Sequence, residues 1–339
     1  MDGMIEDVLR RVESGGHLSM DEMADAIGQI IEGQWSPDRI GRFLLAAKSN
    51  GETVEEVAGA ALALRRHVTP IRSRHADLID TCGTGGDGSR TFNISTAAAL
   101  VAAAAGVPVA KHGNRGITSR SGSADVLAAL GVNIEAQVDC VEECLDRLGI
   151  CFCFAPLLHR AMRHVAEVRK RLGVPTLFNI LGPLANPAGA AYQLLGVGRP
   201  ELHRLMPAAL ARLGARRAIV VHGEDGLDEV TLGGTTHVAE AAAGKVRNYS
   251  WHPRDFGLPC NDREAMLVDG PEQSAAIIRA VLRRHVGPAR DVVLLNAAAA
   301  IWTVGRCDSL VDCVALAAEA IDSGAAEELL VKLVEQTNR

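Results

Sequence analysis

The sequence predicts an α/β protein in two parts, a small helical domain followed by a large α/β domain with a mostly parallel central sheet. Three observations carry this. The first seventy residues offer three capped helices and no strand signal. Beyond them, short apolar strands alternate with helical stretches. The 339 residues are 48% hydrophobic but only 3% aromatic, so a sizeable core must be built from Ala, Val, Leu and Ile, which suits close helix–sheet packing.

The helical part is read from its caps. Ser19 and Glu22 form a capping-box pattern ahead of Met23, Ile27, Ile30 and Ile31, and Gly33 stops that helix. Ser36 before Pro37 is an N-cap with proline at the first helical position, ahead of Ile40, Phe43, Leu44 and Ala47. Thr53 and Glu56 open a third helix through Val57 and Leu64, and Pro70 marks its end.

The pattern then changes. Leu78 to Asp80 is a short strand followed by a glycine-rich turn, and Ala97 to Ala105 is an alanine-rich helix. Val107 to Ala110 and Cys151 to Phe154 read as strands, with a helix from Asp125 to Leu130 between them. Leu158 to Arg171 is a basic helical run, and the prolines of Leu181 to Pro187 forbid regular helix or central strand there. An amphipathic helix, Leu202 to Leu213, leads into a strand from Ala218 to Val221. The stretches Ser274 to Arg284 and Ala315 to Val334 are mostly helix.

Composition excludes several classes. A net charge of −6 argues against nucleic acid or a membrane surface as partner. Residues 91–110, the longest low-charge stretch, are too interrupted by Asn93, Ser95, Thr96, Gly106 and Pro108 to span a bilayer. Met1 to Glu13 carries charges throughout and has no signal-peptide core. The eight cysteines form no matched Cys-x-x-Cys pairs and read as reduced packing residues, so a cytoplasmic location is the default expectation. Cys151 and Cys153 should place both sulfurs on one strand face.

The chemistry begins at the turn Asp80-Thr-Cys-Gly83-Thr-Gly85-Gly86-Asp87-Gly88. Glycines allow positive φ and close backbone approach, so N–H groups can point at a phosphate. The spacing of Gly83, Gly85 and Gly88 fits a dinucleotide fingerprint formally, but that fingerprint needs an acid about 20 residues on, and 88–124 contains neither Asp nor Glu. No Gly-Lys-Ser/Thr closes the turn, so it is no Walker loop either. The acid-free window carries Arg90, Lys111, His112, Arg115 and Arg120, with Thr91, Asn93, Ser95, Thr96, Thr118, Ser119, Ser121 and Ser123. Asn93 to Thr96 precede the alanine helix and so lie at a helix N-terminus, a ready anion site. Together these features predict a polyphosphate ligand.

The acids come later. His222-Gly-Glu-Asp-Gly-Leu-Asp228-Glu229 follows a strand, and loops after parallel strands line the ligand crevice. An isolated Asp-Glu pair is ordinarily a surface turn. In this position, Asp228 and Glu229 suit Mg²⁺, which takes one or two carboxylates, waters and substrate phosphates. Their side chains are expected in an exposed loop.

In order and spacing, these segments resemble the anthranilate phosphoribosyltransferase family. The resemblance rests on Asp80 to Gly88, Thr91-Phe-Asn-Ile-Ser-Thr96, Lys111-His-Gly-Asn-Arg115 and Ser121-Gly-Ser-Ala-Asp-Val-Leu127. It continues through Ala161 to Ala166, Val168-Arg-Lys170, Phe178 to Leu184 with Asn186-Pro187, and Val221 to Glu229. It spans nearly the whole chain. It implies a fold of the nucleoside phosphorylase/phosphoribosyltransferase type, with a helical domain over 1–72 and a later contribution from about 157–186. The phosphoribosyl-pyrophosphate-binding α/β domain would cover 73–156 and 187–339. A homodimer is implied too, with Mg²⁺ as cofactor and anthranilate bound near the hinge.

Carried over residue by residue, the resemblance gives the phosphoribosyl donor Gly83, Gly86, Asp87, Thr91, Asn93, Ser95, Thr96, Lys111, Asn114, Ser119 and Ser123. Ser95, Asp228 and Glu229 would hold metal. Anthranilate would meet Gly83, Asn114 and Arg169, with His112, His159 and Pro183 lining its path. Two positions depart from the family pattern on the acceptor side, Arg160 where proline is common and Pro175 where arginine is common.

The implied reaction displaces pyrophosphate from the anomeric carbon with the amine of anthranilate. An aromatic amine is neutral at pH 7 and attacks without prior deprotonation, so no general base is named. Arg169 would hold the carboxylate through a charge-assisted pair, while Arg163, Lys170 and Arg171 read as a solvated face. Two rivals share the architecture. A pyrimidine nucleoside phosphorylase would carry a different phosphate motif and leave Asp228 and Glu229 without a task. A non-catalytic nucleic-acid-binding relative would show a basic groove and lose both acids.

Overall fold

The three caps read from the sequence each close a helix in the computed structural model, which describes residues 2–116 and 121–339. Four helices precede the first strand: α1 (Asp2–Glu13), α2 (Met20–Ile31), α3 (Pro37–Asn50) and α4 (Val54–His67). Ser19 Oγ accepts from Glu22 N at 3.3 Å while Glu22 Oε2 accepts from Ser19 N at 2.8 Å. Thr53 and Glu56 repeat the arrangement at α4. Glu56 is buried, and its second oxygen accepts from Leu18 N, tying the start of α4 to the chain entering α2. A Cβ at Gly59 would meet Met20 O at 2.2 Å, so the close packing of α2 on α4 depends on this glycine.

The rest of the chain builds a seven-stranded sheet. Its strands are β1 (Ile79–Gly83), β2 (Val109–Gly113), β3 (Ile150–Phe154), β4 (Tyr192–Gly196), β5 (Arg217–Gly223), β6 (Thr236–Ala242) and β7 (Lys245–Trp251), in spatial order β3-β2-β1-β4-β5-β6-β7. The strands from β3 to β5 are parallel; β6 and β7 add an antiparallel edge hairpin. The helices are α5 (Ile94–Ala104), α6 (Ser123–Ala129), α7 (Val138–Leu148), α8 (Ala155–Leu158), α9 (Arg163–Leu172), α10 (Phe178–Leu181) and α11 (Leu202–Arg212), then α12 (Pro271–Leu282), α13 (Pro288–Val304), α14 (Leu310–Asp322) and α15 (Ala325–Thr337).

Two cores flank the sheet. On one side β1, β2 and β3 pack against the alanine-rich α5 and the long, almost wholly buried α13. On the other, Cys82, Leu195, Val197, Ala218 and Val220 meet α11 and the cluster of the first four helices. Helix α9 joins that second cluster, with Val168 and Leu172 beside Gly41 of α3.

Several elements differ from the sequence reading. The strand expected over Leu78 to Asp80 runs on to Gly83, into the glycine turn itself. The alanine helix begins at Ile94, so Ser95 and Thr96 form its first turn instead of preceding it. The basic run is broken into α8, a 3₁₀ turn at Arg160–Met162, and α9. The C-terminal helical stretch is two helices divided at Ser323 and Gly324. The sequence reading misses β4, a short strand with little alternation because both its faces are buried. All eight cysteines are free; Cys151 and Cys153 share a face with sulfurs 3.8 Å apart, while Cys260 is exposed and packs into no core. No described helix is long and apolar enough to cross a membrane.

Candidate active site

The chain leaves β1 toward β2 and β3 on one side and returns at β4 on the other, so strand order reverses between β1 and β4. Loops at the carboxyl ends of strands flanking such a reversal enclose a crevice. Gly83 and Gly196 end the two strands side by side in register. Asp228 from the loop after β5 lies over both, with its side chain against Gly83 and its backbone against Gly196, which has no room for a side chain. A Cβ on Gly83 would be 2.8 Å from Asp228 Oδ2, and one on Gly196 would be 1.6 Å from Asp228 O. Gly198 is crowded in the same way by Asp87.

Three backbone donors gather the acids here. Gly85 N donates to Asp228 Oδ2 at 3.1 Å, Ser95 N donates to Glu229 Oε1 at 3.0 Å, and Asp228 N reaches Asp87 Oδ2 at 3.5 Å. The Glu229 contact is made by the first turn of α5, where free N–H groups and the helix dipole favour negative charge. Asp228 and Glu229 are half-buried, not exposed as their acidic turn suggested. Burial first, then the neighbouring Asp87 and Glu229, holds Asp228 well above the usual carboxylate range. Burial likewise pushes Glu229 up to about 7, against the pull of Lys111 and of Ser95 N–H. Strongly perturbed carboxyls gathered at the mouth of a crevice mark a functional-site candidate.

Lys111 lies beneath this group. It is 3% exposed, and its Nζ donates to the Thr81 carbonyl and to Ser95 Oγ. Burial lowers its pKa, opposed by Asp80 behind it and Glu229 in front. It is therefore a floor cation that balances acids, more deeply placed than a lysine reaching freely into a cleft. Asn93 is held by Ser274, whose Oγ accepts from Asn93 N and donates to Asn93 Oδ1, both at 2.9 Å. Ser121 Oγ donates to the same Oδ1. Thr91 Oγ1 pairs with Ser89 Oγ, and Thr96 Oγ1 is buried with no protein partner. Asn114 is exposed, with Ser123 Oγ 3.5 Å from its carbonyl oxygen. Gly86 takes φ +82°, as the turn requires. Ser119 lies outside the described residues.

A second group sits where β2 meets the segment following α9. His112 is buried; its Nδ1 is 2.9 Å from Gly182 O and its Nε2 is 3.2 Å from His159 Nε2. Pro183 is buried next to Gly182, and its carbonyl accepts from Gln193 of β4. Arg169 lies on α9. It is half-buried, donates to Asn179 Oδ1 at 3.3 Å and lies 5.7 Å over the Phe178 ring. Lys170, Arg160 and Pro175 are exposed.

Several positioning residues escaped the sequence reading. Gly196 and Gly198 form a Gly-x-Gly after a strand, a signal present but unused. Asn296 of α13 is fully buried and holds both the N–H and the C=O of Val230, fixing the loop that carries Glu229. Asp80 is also fully buried, with Oδ1 accepting from His112 N at 3.0 Å and Oδ2 without a partner. No local pattern announces the last two, since their partners lie 66 and 32 residues away.

Residues 6–68 match the helical bundle domain of a glycosyl transferase family, and residues 75–327 match that family's a/b domain. The chain is 50% identical to the anthranilate phosphoribosyltransferase of Rhodopirellula baltica, over 97% of this chain and 96% of that protein. It is 48% identical to that of Moorella thermoacetica, over 98% of each. The crystal structure of the Thermus thermophilus enzyme superposes with a TM-score of 0.92 at 45% identity, covering 98% of this chain and 100% of that one. The Saccharomyces cerevisiae enzyme in complex with PRPP and Mg superposes with a TM-score of 0.89 at 30% identity, covering 100% of this chain and 99% of that one.

Proposed function

The chain belongs to the anthranilate phosphoribosyltransferase family, and from that premise we propose that the crevice over β1, β2, β4 and β5 takes 5-phosphoribosyl 1-pyrophosphate while anthranilate enters beside the hinge segment 157–186. The reaction transfers the phosphoribosyl group to the amine of anthranilate, giving N-(5-phosphoribosyl)anthranilate and pyrophosphate, in tryptophan biosynthesis. The observation that carries the site assignment is the meeting of Asp228 and Glu229 with the glycine turn and the first turn of α5.

In this reading the N–H groups around Gly83 and Gly86 cradle the pyrophosphate, with Asp87, Thr91, Asn93, Ser95, Thr96, Asn114, Ser119 and Ser123 around the donor and Lys111 beneath it. Ser95, Asp228 and Glu229 are the metal-holding groups. Their crowding beside Asp87 gathers like charge that a cation would neutralise. Among the described residues no three His, Cys, Asp or Glu side chains enclose a metal on their own. That suits Mg²⁺, which keeps waters and substrate phosphates in its shell. When bound, Mg²⁺ supplies Lewis-acid neutralisation of the leaving pyrophosphate.

The chain's own groups do the positioning. The developing charge on pyrophosphate is met by fixed N–H donors that need no reorganisation. Arg169, held by Asn179 and partly desolvated, is set to pair with the anthranilate carboxylate, and Gly83, Asn114, His112, His159 and Pro183 line the acceptor's approach. We read the enzyme as a cytoplasmic homodimer, for which light scattering on the purified protein is the check of subunit number.

The test is Asp228→Asn with Glu229→Gln, assayed by anthranilate fluorescence while Mg²⁺ is varied. Activity should fall at least about 100-fold, and half-saturating Mg²⁺ should rise. Unchanged activity at limiting Mg²⁺ overturns the metal assignment.

A further inference from the structure

Helix α5 has Asn93 at its N-cap, where an asparagine side chain ordinarily accepts from the second or third N–H of the helix. Ser19, Ser36, Thr53 and Ser309 cap their own helices in this way. Asn93 does not. Its Oδ1 accepts instead from Ser274 Oγ at 2.9 Å and from Ser121 Oγ at 2.8 Å, which fills both lone pairs. Its backbone N–H donates to the same Ser274 Oγ at 2.9 Å, and its Nδ2 donates to the Ser121 carbonyl at 3.3 Å.

The helix donors that Asn93 leaves are satisfied in other ways. With φ −72° and ψ 78°, Asn93 stands at the centre of an inverse γ-turn, in which Ile94 N donates to Phe92 O at 2.7 Å. Thr96 N returns to Asn93 O at 3.1 Å. Ser95 N, the second N–H of the helix, is one that a capping asparagine would take. Here it donates to Glu229 Oε1 at 3.0 Å, so the cap of α5 comes from 134 residues away. A carboxylate is the stronger acceptor. The Asn93 amide is the nearer one, since it closes no long loop to reach Ser95 N.

We propose that Ser274 is a positioning residue for the metal-holding acids: by tying up the Asn93 amide, it leaves the Ser95 N–H to Glu229. This rests on the metal site assigned above. Ser274 is fully buried in α12 and binds both the backbone and the side chain of Asn93, whereas Ser121 holds only the side chain, from a half-buried loop position. The bond from Ser95 N fixes one oxygen of Glu229 and so orients the carboxylate. Hydrogen-bonded partners of this kind set the geometry that a metal-ligating carboxylate presents.

The experiment compares wild type, Ser274→Ala, Asn93→Ala and the double variant Ser274→Ala with Asn93→Ala, taking Glu229→Gln as reference. Half-saturating Mg²⁺ is measured by anthranilate fluorescence at saturating donor, thermal melts give Tm, and crystal structures of the metal-free proteins locate the Glu229 carboxylate. Ser274→Ala should bring Asn93 Oδ1 onto the first turn of α5, detach Glu229 from Ser95 N and raise half-saturating Mg²⁺ about 10-fold. In the Asn93→Ala background the competing amide is gone, so adding Ser274→Ala should change half-saturating Mg²⁺ by less than about twofold. Tm should fall in both backgrounds, because the N–H of residue 93 loses its acceptor either way; lost stability therefore cannot imitate the result. A Mg²⁺ shift of equal size in both backgrounds, or a Ser274→Ala structure that keeps the bond from Ser95 N to Glu229, overturns the proposal. Should Ser274→Ala not fold, Ser121→Ala loosens the same amide and must raise half-saturating Mg²⁺ in the wild-type background alone; no rise overturns the proposal. If Glu229→Gln shifts the Mg²⁺ dependence and Ser274→Ala does not, only the positioning role fails. If neither shifts it, the metal reading fails and the proposal falls with it.

Discussion

The backbone of Asp228 rests directly on Gly196, so closely that a Cβ there would lie 1.6 Å from the Asp228 carbonyl oxygen. Both partners are backbone, so no rotamer change can relieve the clash. Gly196→Ala should therefore displace the loop bearing Asp228 and Glu229. Overpacking of this kind costs about 1–3 kcal/mol, visible as a lowered Tm, and activity should drop far more than stability does. Wild-type Mg²⁺ dependence in a folded Gly196→Ala protein would show that the loop tolerates displacement.

Lys111 is enclosed between Asp80 and Glu229, with its Nζ on Thr81 O and Ser95 Oγ. Lys111→Met keeps most of the volume and removes the charge. Losing hydrogen bonds to a charged group costs about 1.5–3 kcal/mol, so calorimetry should show donor binding weakened roughly 10- to 100-fold. The melting temperature should fall as well, because two acids lose their counter-charge. Normal donor binding would place the phosphate cradle elsewhere.

Arg169 and Lys170 are neighbours on α9, but only Arg169 is partly desolvated and held by a side-chain partner. Arg169→Ala should raise the anthranilate KM at least about 30-fold, since breaking a charge pair at a desolvated site costs roughly 2–5 kcal/mol. Donor KM should barely change. Lys170→Ala should be nearly silent, as expected of a solvated charge. Equal small effects from both would reduce Arg169 to part of a solvated face.

Asp80 offers a pH test. Burial raises its pKa from 3.8 to about 6, against Asn186, Lys111 and His112 N–H. A carboxyl raised on folding favours the native state fully below its unfolded pKa, and that contribution is lost as pH rises through the folded value. The window is thus pH 4 to 6, and the loss is on the order of 3 kcal/mol at most. Asp80→Asn can still accept from His112 N but does not titrate. Its stability relative to wild type should therefore improve from pH 4 to pH 7 in denaturant melts. A constant difference across that range would mean that Asp80 is ionised throughout.

Much of this protein was legible in the chain. Helix caps are local, so Ser19, Ser36 and Thr53 announced their helices from residues three positions apart. The glycine turn, the acid-free window and the Asp228–Glu229 pair are contiguous motifs, and the resemblance they carry named the chemistry before any geometry was known. Central elements were harder to see. Strand β4 and helix α13 are buried on nearly all sides and lack the alternation that marks a half-exposed element.

Only the tertiary structure decided how the motifs meet. It laid Asp228 over Gly83 and Gly196, set Ser95 N–H against Glu229, and sank Lys111 between Asp80 and Glu229. It also turned an apparently exposed acidic turn into a half-buried one, with carboxyl groups held above their ordinary range. The physical reason is that a residue's charge state and reach depend on what surrounds it. Here the surroundings come from strands distant in sequence, brought together at the reversal between β1 and β4. The facing nitrogens of His112 and His159, 47 residues apart, are the same lesson: each residue was legible singly, and the fold made them a pair.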